Sequence, residues 1–175
     1  AKLINGNPFS RYQEEVDNIL ENLLQTGLNA VFLHVRSHAD SFYPSEIFPW
    51  SDLINQGKGV DYDPLEYFVQ KAHEKQIQVH GWVNPYRVSS DGLSKLSSKH
   101  PVHTITENGV VETSKGVYFN PASHQVRRLI LSGVRELLEK YDLDGIQYDD
   151  YFYPTTDQTF DRESYQAYCK NTPNP

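Results

Sequence analysis

Two adjacent carboxylates, Asp149 and Asp150, run directly into three aromatic rings and a proline, Tyr151, Phe152, Tyr153 and Pro154. A second group, Trp82, Asn84, Tyr86 and Arg87, brackets Pro85, and a third, Arg36, Asp40 and Tyr43, lies earlier in the chain. Acids, an amide, guanidinium groups and aromatic faces together suit a sugar. Carboxylates can move protons or attack, Asn and Arg can hold hydroxyls, and aromatic faces can stack on pyranose rings. Successive side chains on an extended strand point to opposite faces, so Asp149 and Asp150 cannot by themselves form an acid/base pair ~5 to 10 Å apart. One of the two is then structural. Arg36 has two readings of equal weight: a ligand contact, or the ion-pair partner of Asp149 or Asp40 that fixes the loops. Tyr151, Phe152 and Tyr153 lie just beyond a strand and cannot all be buried, so at least one lines a cleft.

The elements that must position these groups alternate along the chain. Ser10 to Gln13 has the spacing of a capping box, and Val16, Ile19, Leu20, Leu23 and Leu24 follow at helical intervals up to Gly27, which predicts a helix over 11–26. A β-rich run, 28–36, reads as a buried strand. Asp63 and Pro64 open a second helix with Leu65, Phe68, Val69 and Ala72 as its apolar stripe, and 77–84 is the next strand. After Pro85 an excursion runs to about residue 118. It carries Asn108-Gly109, a hairpin turn signal, between 102–106 and 110–113. A third helix, with Val126, Leu129, Ile130, Val134, Leu137 and Leu138 inward, precedes a strand at 145–149.

This order predicts parallel strands with helical crossovers. Within the strands, Val31, Leu33, Val35, Val79, Val83, Ile146 and Tyr148 form the face toward the helices. His34, Arg36, His80, Trp82, Asn84, Gln147, Asp149 and Tyr151 form a polar opposite face. A sheet covered by helices on both sides makes such a face costly, whereas a (β/α)8 barrel places it around the upper interior beneath the βα loops. The fold class expected is therefore α/β, a partial TIM barrel with a β-hairpin insertion in the loop after the second visible strand. The predicted organisation is one partial domain over 1–175, an insertion at 88–118 and an incomplete C-terminal segment at 155–175. Eight units need ~250 residues, and only three strands with their helices are visible. The lack of methionine suggests a piece of something longer, and open edges would then favour self-association.

Composition narrows the partners. The 175 residues carry 16 Lys and Arg against 23 Asp and Glu, a net charge of −7, which is the wrong sign for following a phosphate backbone, so no nucleic-acid partner is expected. No run approaches the ~20 apolar residues of a membrane span, and the first residues are not a signal peptide. The single Cys169 excludes an internal disulfide and a multi-cysteine metal site. His34, His38 and Asp40 span strand and loop without a recognised ligand signature, so neither metal nor cofactor is expected. The 12 tyrosines, many beside Gly, Pro or Asp, again favour flat, partly apolar ligands.

Two long motifs, Asn84-Pro85-Tyr86-Arg87 after one strand and the block from Asp144 to Pro154 at the next, resemble the bacterial glycosyl hydrolase-like 10 family. Phe42-Tyr43, Phe48 to Leu53 and Tyr62 to Leu65 are similar to its pattern as well. The likeness runs over about residues 10–155, with Gln147 standing where that block often has His. It implies a (β/α)8 barrel acting on glycans, peptidoglycan among them, in an extracellular or cell-envelope setting. It also implies an acid at the end of the fourth strand. With one strand before Ser10, that residue is Asp149, and Asp150 is the second candidate. The candidate substrate contacts, read from residue type and position at the strand ends, are Arg36, Asp40, Tyr43, Trp82, Asn84, Tyr86, Arg87, Tyr151 and Tyr153. The reading is an O-glycosyl hydrolase whose second carboxylate lies on a later strand. The alternatives are a glycan-binding or scaffold module from a truncated barrel and, more remotely, a metal-dependent deacetylase or amidohydrolase built on the histidines.

Overall fold

A computed structural model describes residues 1–98, 100–106, 108–157 and 159–172. Helix α1 (Phe9–Gln25) buries Tyr12, Val16 and Leu20, one residue per turn on one face. The expected capping box does not form. The extended Pro8 precedes the helix, so Ser10 already lies inside its first turn and no side chain caps the end. At the other end Gly27 takes φ +75, its N–H donates to the Leu24 carbonyl, and the Leu28 N–H donates to Leu23. This is a Schellman closure, which needs the left-handed backbone that glycine adopts freely.

Strand β1 (Ala30–Arg36) follows, then helix α2 (Pro64–Glu74), whose N-cap Asp63 accepts from the N–H groups of Leu65 and Glu66. The same carboxylate accepts the Tyr141 hydroxyl at 2.7 Å, which ties the start of α2 to the end of the third helix. Strand β2 (Gln78–Val83) pairs parallel with β1, and β6 (Gly145–Tyr148) pairs parallel with β2 after helix α3 (His124–Lys140). The sheet order β1-β2-β6 with helices between parallel strands is the unit structure of a (β/α)8 barrel.

One face of this sheet meets the helices. Val35, Val79 and Val83 are buried there with Leu20, Phe68, Val69, Ala72 and Leu137. Gly81 lies between Leu33 and Ile146, and a Cβ there would come within 3.1 Å of Leu143. The opposite face stacks in layers. His34 lies on Trp82 with centroids 4.5 Å apart, level with Gln147, and Phe32 packs on His80 level with Gly145. A side chain at Gly145 would sit 2.5 Å from His80 Nδ1, so the missing Cβ makes room for that ring. Phe32 is 54% exposed on this inner face.

The excursion after β2 forms a small antiparallel sheet, β3-β5-β4, from β3 (Arg87–Ser89), β4 (Val110–Thr113) and β5 (Gly116–Phe119). The hairpin is present, but its turn is not at Asn108-Gly109. Val110–Thr113 turns back through Ser114 and Lys115 to pair with Gly116–Phe119, while Pro101–Thr104 is a short 3₁₀ turn. Asn108, at φ +57, only leads the chain into β4. A second core of Val88, Val102, Val117, Phe119, Val126 and Ile130 joins this sheet to the first half of α3. Leu138, expected inward, is exposed, because the buried line of α3 runs through Val126, Ile130, Gly133 and Leu137. A last helix, α4 (Arg162–Asn171), buries none of its residues. Residues 173–175, at the end of the expected incomplete C-terminal segment, lie outside the described residues.

Candidate functional site

Parallel pairing brings the C-terminal ends of β1, β2 and β6 to one rim. Asp149 stands one residue beyond β6 and keeps the ladder, its N–H donating to the Val83 carbonyl at 3.1 Å. By alternation it shares the inward face of Gln147. The chain then turns sharply, with Asp150 at φ +50. The Asp150 N–H donates to Asp149 Oδ1 at 2.7 Å, and the Asp150 carboxylate pairs with Arg87 Nε at 2.6 Å. Asp150 is thus committed to a cation, while among the described residues no cation pairs with Asp149.

The β2 end supplies a fixed framework. Asn84 is buried, receives the Trp82 indole N–H on Oδ1 at 2.9 Å and donates its own amide to the Ser37 carbonyl at 3.1 Å. Asn84 therefore holds the Trp82 edge and the start of the β1 loop together. Asp40 accepts the His38 N–H at 2.9 Å in that loop, and the Ser37 hydroxyl lies 3.5 Å from the same oxygen. Arg87 also donates from Nη2 to the Tyr118 hydroxyl.

Arg36 and Tyr43 are not at the rim. Pairing of β1 with β2 slips between His34 and Arg36, so that His34 faces Trp82 but Arg36 faces Val83. This bulge adds one residue to β1 and turns Arg36 to the helix side, whereas unbroken alternation would keep it on the His34 face. Arg36 is 2% exposed, with Cζ 3.9 Å from the centre of the Phe48 ring and Nη2 donating to the Tyr43 hydroxyl at 2.9 Å. Tyr43, itself buried, donates onward to Glu136 on α3 at 3.2 Å, and Glu136 also receives the Ser45 hydroxyl and the Glu46 N–H. Arg36 fixes the β1 loop to α3 through these groups, not through Asp149 or Asp40.

The aromatic run lies open: Tyr151 is 56%, Phe152 67% and Tyr153 65% exposed. Tyr151 and Phe152 stack at 5.0 Å, and the Tyr153 hydroxyl donates to Asp161 at 2.5 Å. Together with Tyr86, Tyr118 and Phe160 these rings line a groove between the small sheet and the segment leading to α4. Of the sequence-predicted residues, the rim therefore gathers Asp149, Asp150, Arg87, Asn84, Trp82 and Tyr86, the groove adds Tyr151 and Tyr153, and Asp40 stays in its loop turn.

The first residue of the long motif does different work. Asp144, at the opposite end of β6, accepts the Val79 N–H at 2.7 Å and His73 Nε2 at 2.9 Å. The backbone N–H first, then the imidazole, holds its carboxyl below the ordinary carboxylate range. His34, wedged against Trp82, has its pKa lowered by burial. Among the described residues no group of three or more His, Cys, Asp or Glu side chains is placed to hold a metal ion, and no helix is long and apolar enough to cross a membrane.

The family model of glycosyl hydrolase-like 10 matches residues 6–175. The chain belongs to the glycosyl hydrolase-like 10 family. It is 34% identical over 173 residues to the glycosyl hydrolase YngK of Bacillus subtilis, covering 95% of this chain and 34% of that protein. With the glycosyl hydrolase DigH of Escherichia coli it shares 34% identity over 179 residues, covering 93% of this chain and 41% of that one. The chain thus spans between a third and a half of the length of these relatives. Among solved structures, a maltogenic α-amylase, AmyB of Thermotoga neapolitana, superposes with a TM-score of 0.55 at 19% identity, over 97% of this chain and 40% of that chain. That likeness concerns the fold, a glycosidase (β/α)8 barrel.

Sequence reasoning missed Tyr118, Gly133 and Glu136. Gly133 carried a signal, since a glycine inside a helical pattern costs ~1 kcal/mol against alanine and points to close packing. Here a Cβ would come 2.6 Å from Arg36 Nη2.

Proposed function

We propose that this domain of a glycosyl hydrolase-like 10 protein holds a glycan across the strand ends and takes part in hydrolysing its glycosidic bonds, with Asp149 as the general acid/base. The observation that carries this reading is the contrast between two neighbouring carboxylates. Asp150 is paired to Arg87, whereas Asp149 sits at the strand end with no cation beside it among the described residues and an aromatic groove two residues away. Trp82, Tyr86, Tyr151 and Tyr153 are the ring surfaces offered to the sugar, and Asn84 positions Trp82. The family resemblance brings a bacterial cell-envelope or extracellular polymer, peptidoglycan among them, into the proposal as substrate.

Two carboxylates about 5 to 10 Å apart are needed for either stereochemical course. Asp40 is engaged by its own loop and Asp150 by Arg87, so the partner of Asp149 belongs to another strand of the barrel. The same observation favours one second reading, a glycan-binding module without turnover. Asp149→Asn in the full-length protein separates the two when release of dye from labelled peptidoglycan is measured beside binding. Loss of release with retained binding and unfolding midpoint supports the catalytic role. Unchanged release removes Asp149 from it, and binding with no release by the unaltered protein favours the module.

A further inference from the structure

We propose that the small sheet β3-β5-β4 is a positioning arm for Asp149, acting through Arg87 and Asp150; the inference rests on the reading of Asp149 as the acid. Arg87 opens β3 and lies directly opposite Tyr118 of β5 in the antiparallel register. Opposite residues of such a pair share a face, so the register itself delivers the Tyr118 hydroxyl to the guanidinium. Nη2 donates to that hydroxyl at 3.3 Å, and Cζ is 5.5 Å from the ring centroid. Held in this way, the Arg87 guanidinium forms an ion pair with Asp150, Nε lying 2.6 Å from Oδ2 without the N–H being aimed along a hydrogen bond.

Asp150 is in the left-handed region, which side chains other than Asn and Asp rarely enter, and the ion pair anchors the turn there. The turn aims the Asp150 N–H at Asp149 Oδ1, 2.7 Å away. A backbone N–H on one carboxylate oxygen fixes its rotamer and leaves the other oxygen for the reaction. Arg87 and Asp150 are therefore positioning residues. Neither has to touch the sugar, and the excursion after β2 becomes the rigid support from which the acid is aimed.

The test uses the full-length protein with two readouts. The first needs no substrate. In ¹⁵N-labelled protein the Asp150 amide proton, shifted downfield by its hydrogen bond, moves upfield in Arg87→Met, and an unmoved resonance overturns the proposal. The second is dye release from labelled peptidoglycan. Arg87→Met lowers kcat about 10- to 100-fold, the effect of a misplacement of about 1 Å, with KM held within about twofold. Arg87→Lys, which keeps a charge for Asp150 without the planar fork, recovers part of that loss. A raised KM at unchanged kcat makes Arg87 a substrate contact and overturns the arm, as does unchanged turnover. Should Arg87→Met fail to fold, Tyr118→Phe decides by the same two measures, its kcat falling by a few fold or the arm being discarded. Asp149→Asn keeps the two readings apart. Full activity there sinks both, whereas an inactive Asp149→Asn beside a fully active Arg87→Met sinks the arm alone.

Discussion

Replacing Gly133 with alanine adds one methyl group to the middle of α3, where helix propensity alone would favour the change by ~1 kcal/mol. The space is already taken. The new Cβ would overlap Phe48 Cε2 and stand 2.6 Å from Arg36 Nη2 and 2.9 Å from Nη1, all closer than carbon and nitrogen atoms approach. Forcing a group into a filled core costs about 1–3 kcal/mol, and shifting the guanidinium puts at risk a charged hydrogen bond to Tyr43 worth about 1.5–3 kcal/mol. After the helix gain is deducted, a net loss of about 1.5–5 kcal/mol is expected. For a domain of this size that is a fall of roughly 3–20 °C in the unfolding midpoint. Urea titration followed by circular dichroism measures it. Arg36→Met provides the cycle: with the guanidinium gone, alanine at 133 should cost at least about 1 kcal/mol less than it does beside Arg36. A Gly133→Ala protein as stable as the unaltered one, or more stable, would refute the packing argument.

Asp144 gives a pH dependence. Its carboxyl is held below the ordinary value of 3.8, so its contribution is full above that value and disappears as pH falls through the lowered one. Asp144→Asn should accordingly destabilise the protein near neutrality, and the difference from wild type should shrink on acidification, as followed by urea midpoints across that range. Alanine at Tyr151, Phe152 and Tyr153 together should leave the stability within about 1 kcal/mol, because all three rings are exposed. Stacking losses of about 0.5–1.5 kcal/mol per ring should nevertheless weaken glycan binding at least tenfold in calorimetric titration with soluble peptidoglycan fragments.

The main sheet was legible because its cause is local. Val31, Leu33 and Val35 alternate with His34, Val79 and Val83 with Trp82, and Ile146 with Gln147, so each strand declares its faces. Asp63-Pro64 specified the start of α2 for the same reason, since the cap and the first-turn proline act within a few residues. Arg36 was misplaced because alternation is a counting argument, and the bulge after His34 changes the count. What stabilises the bulge is Tyr43, Phe48, Gly133 and Glu136, the last two about a hundred residues away in sequence. The hairpin turn was misplaced for a related reason. Asn108-Gly109 suits a tight turn, but pairing of β5 with both β3 and β4 decides where the chain reverses, and that pairing is tertiary. In the site, residue types pointed to Asp149 and its aromatic neighbours. The contrast between Asp150, paired to a cation, and Asp149, which has none beside it among the described residues, depends on Arg87, placed by its register against Tyr118.

The bulge in β1 has an evolutionary consequence. It spends one interior position of the strand to seat a permanently charged group between sheet and helix, and an arginine cannot shed its proton to ease that burial. Tyr43 accepts from the arginine and donates on to Glu136, and Gly133 supplies the room. These four positions form one packing unit. A lineage that straightened β1 would return its arginine to the barrel mouth and would leave a glycine that weakens α3 and a carboxylate without its relay. A change at any one of the four therefore disturbs the other three, although Arg36 and Tyr43 are buried away from the strand-end rim.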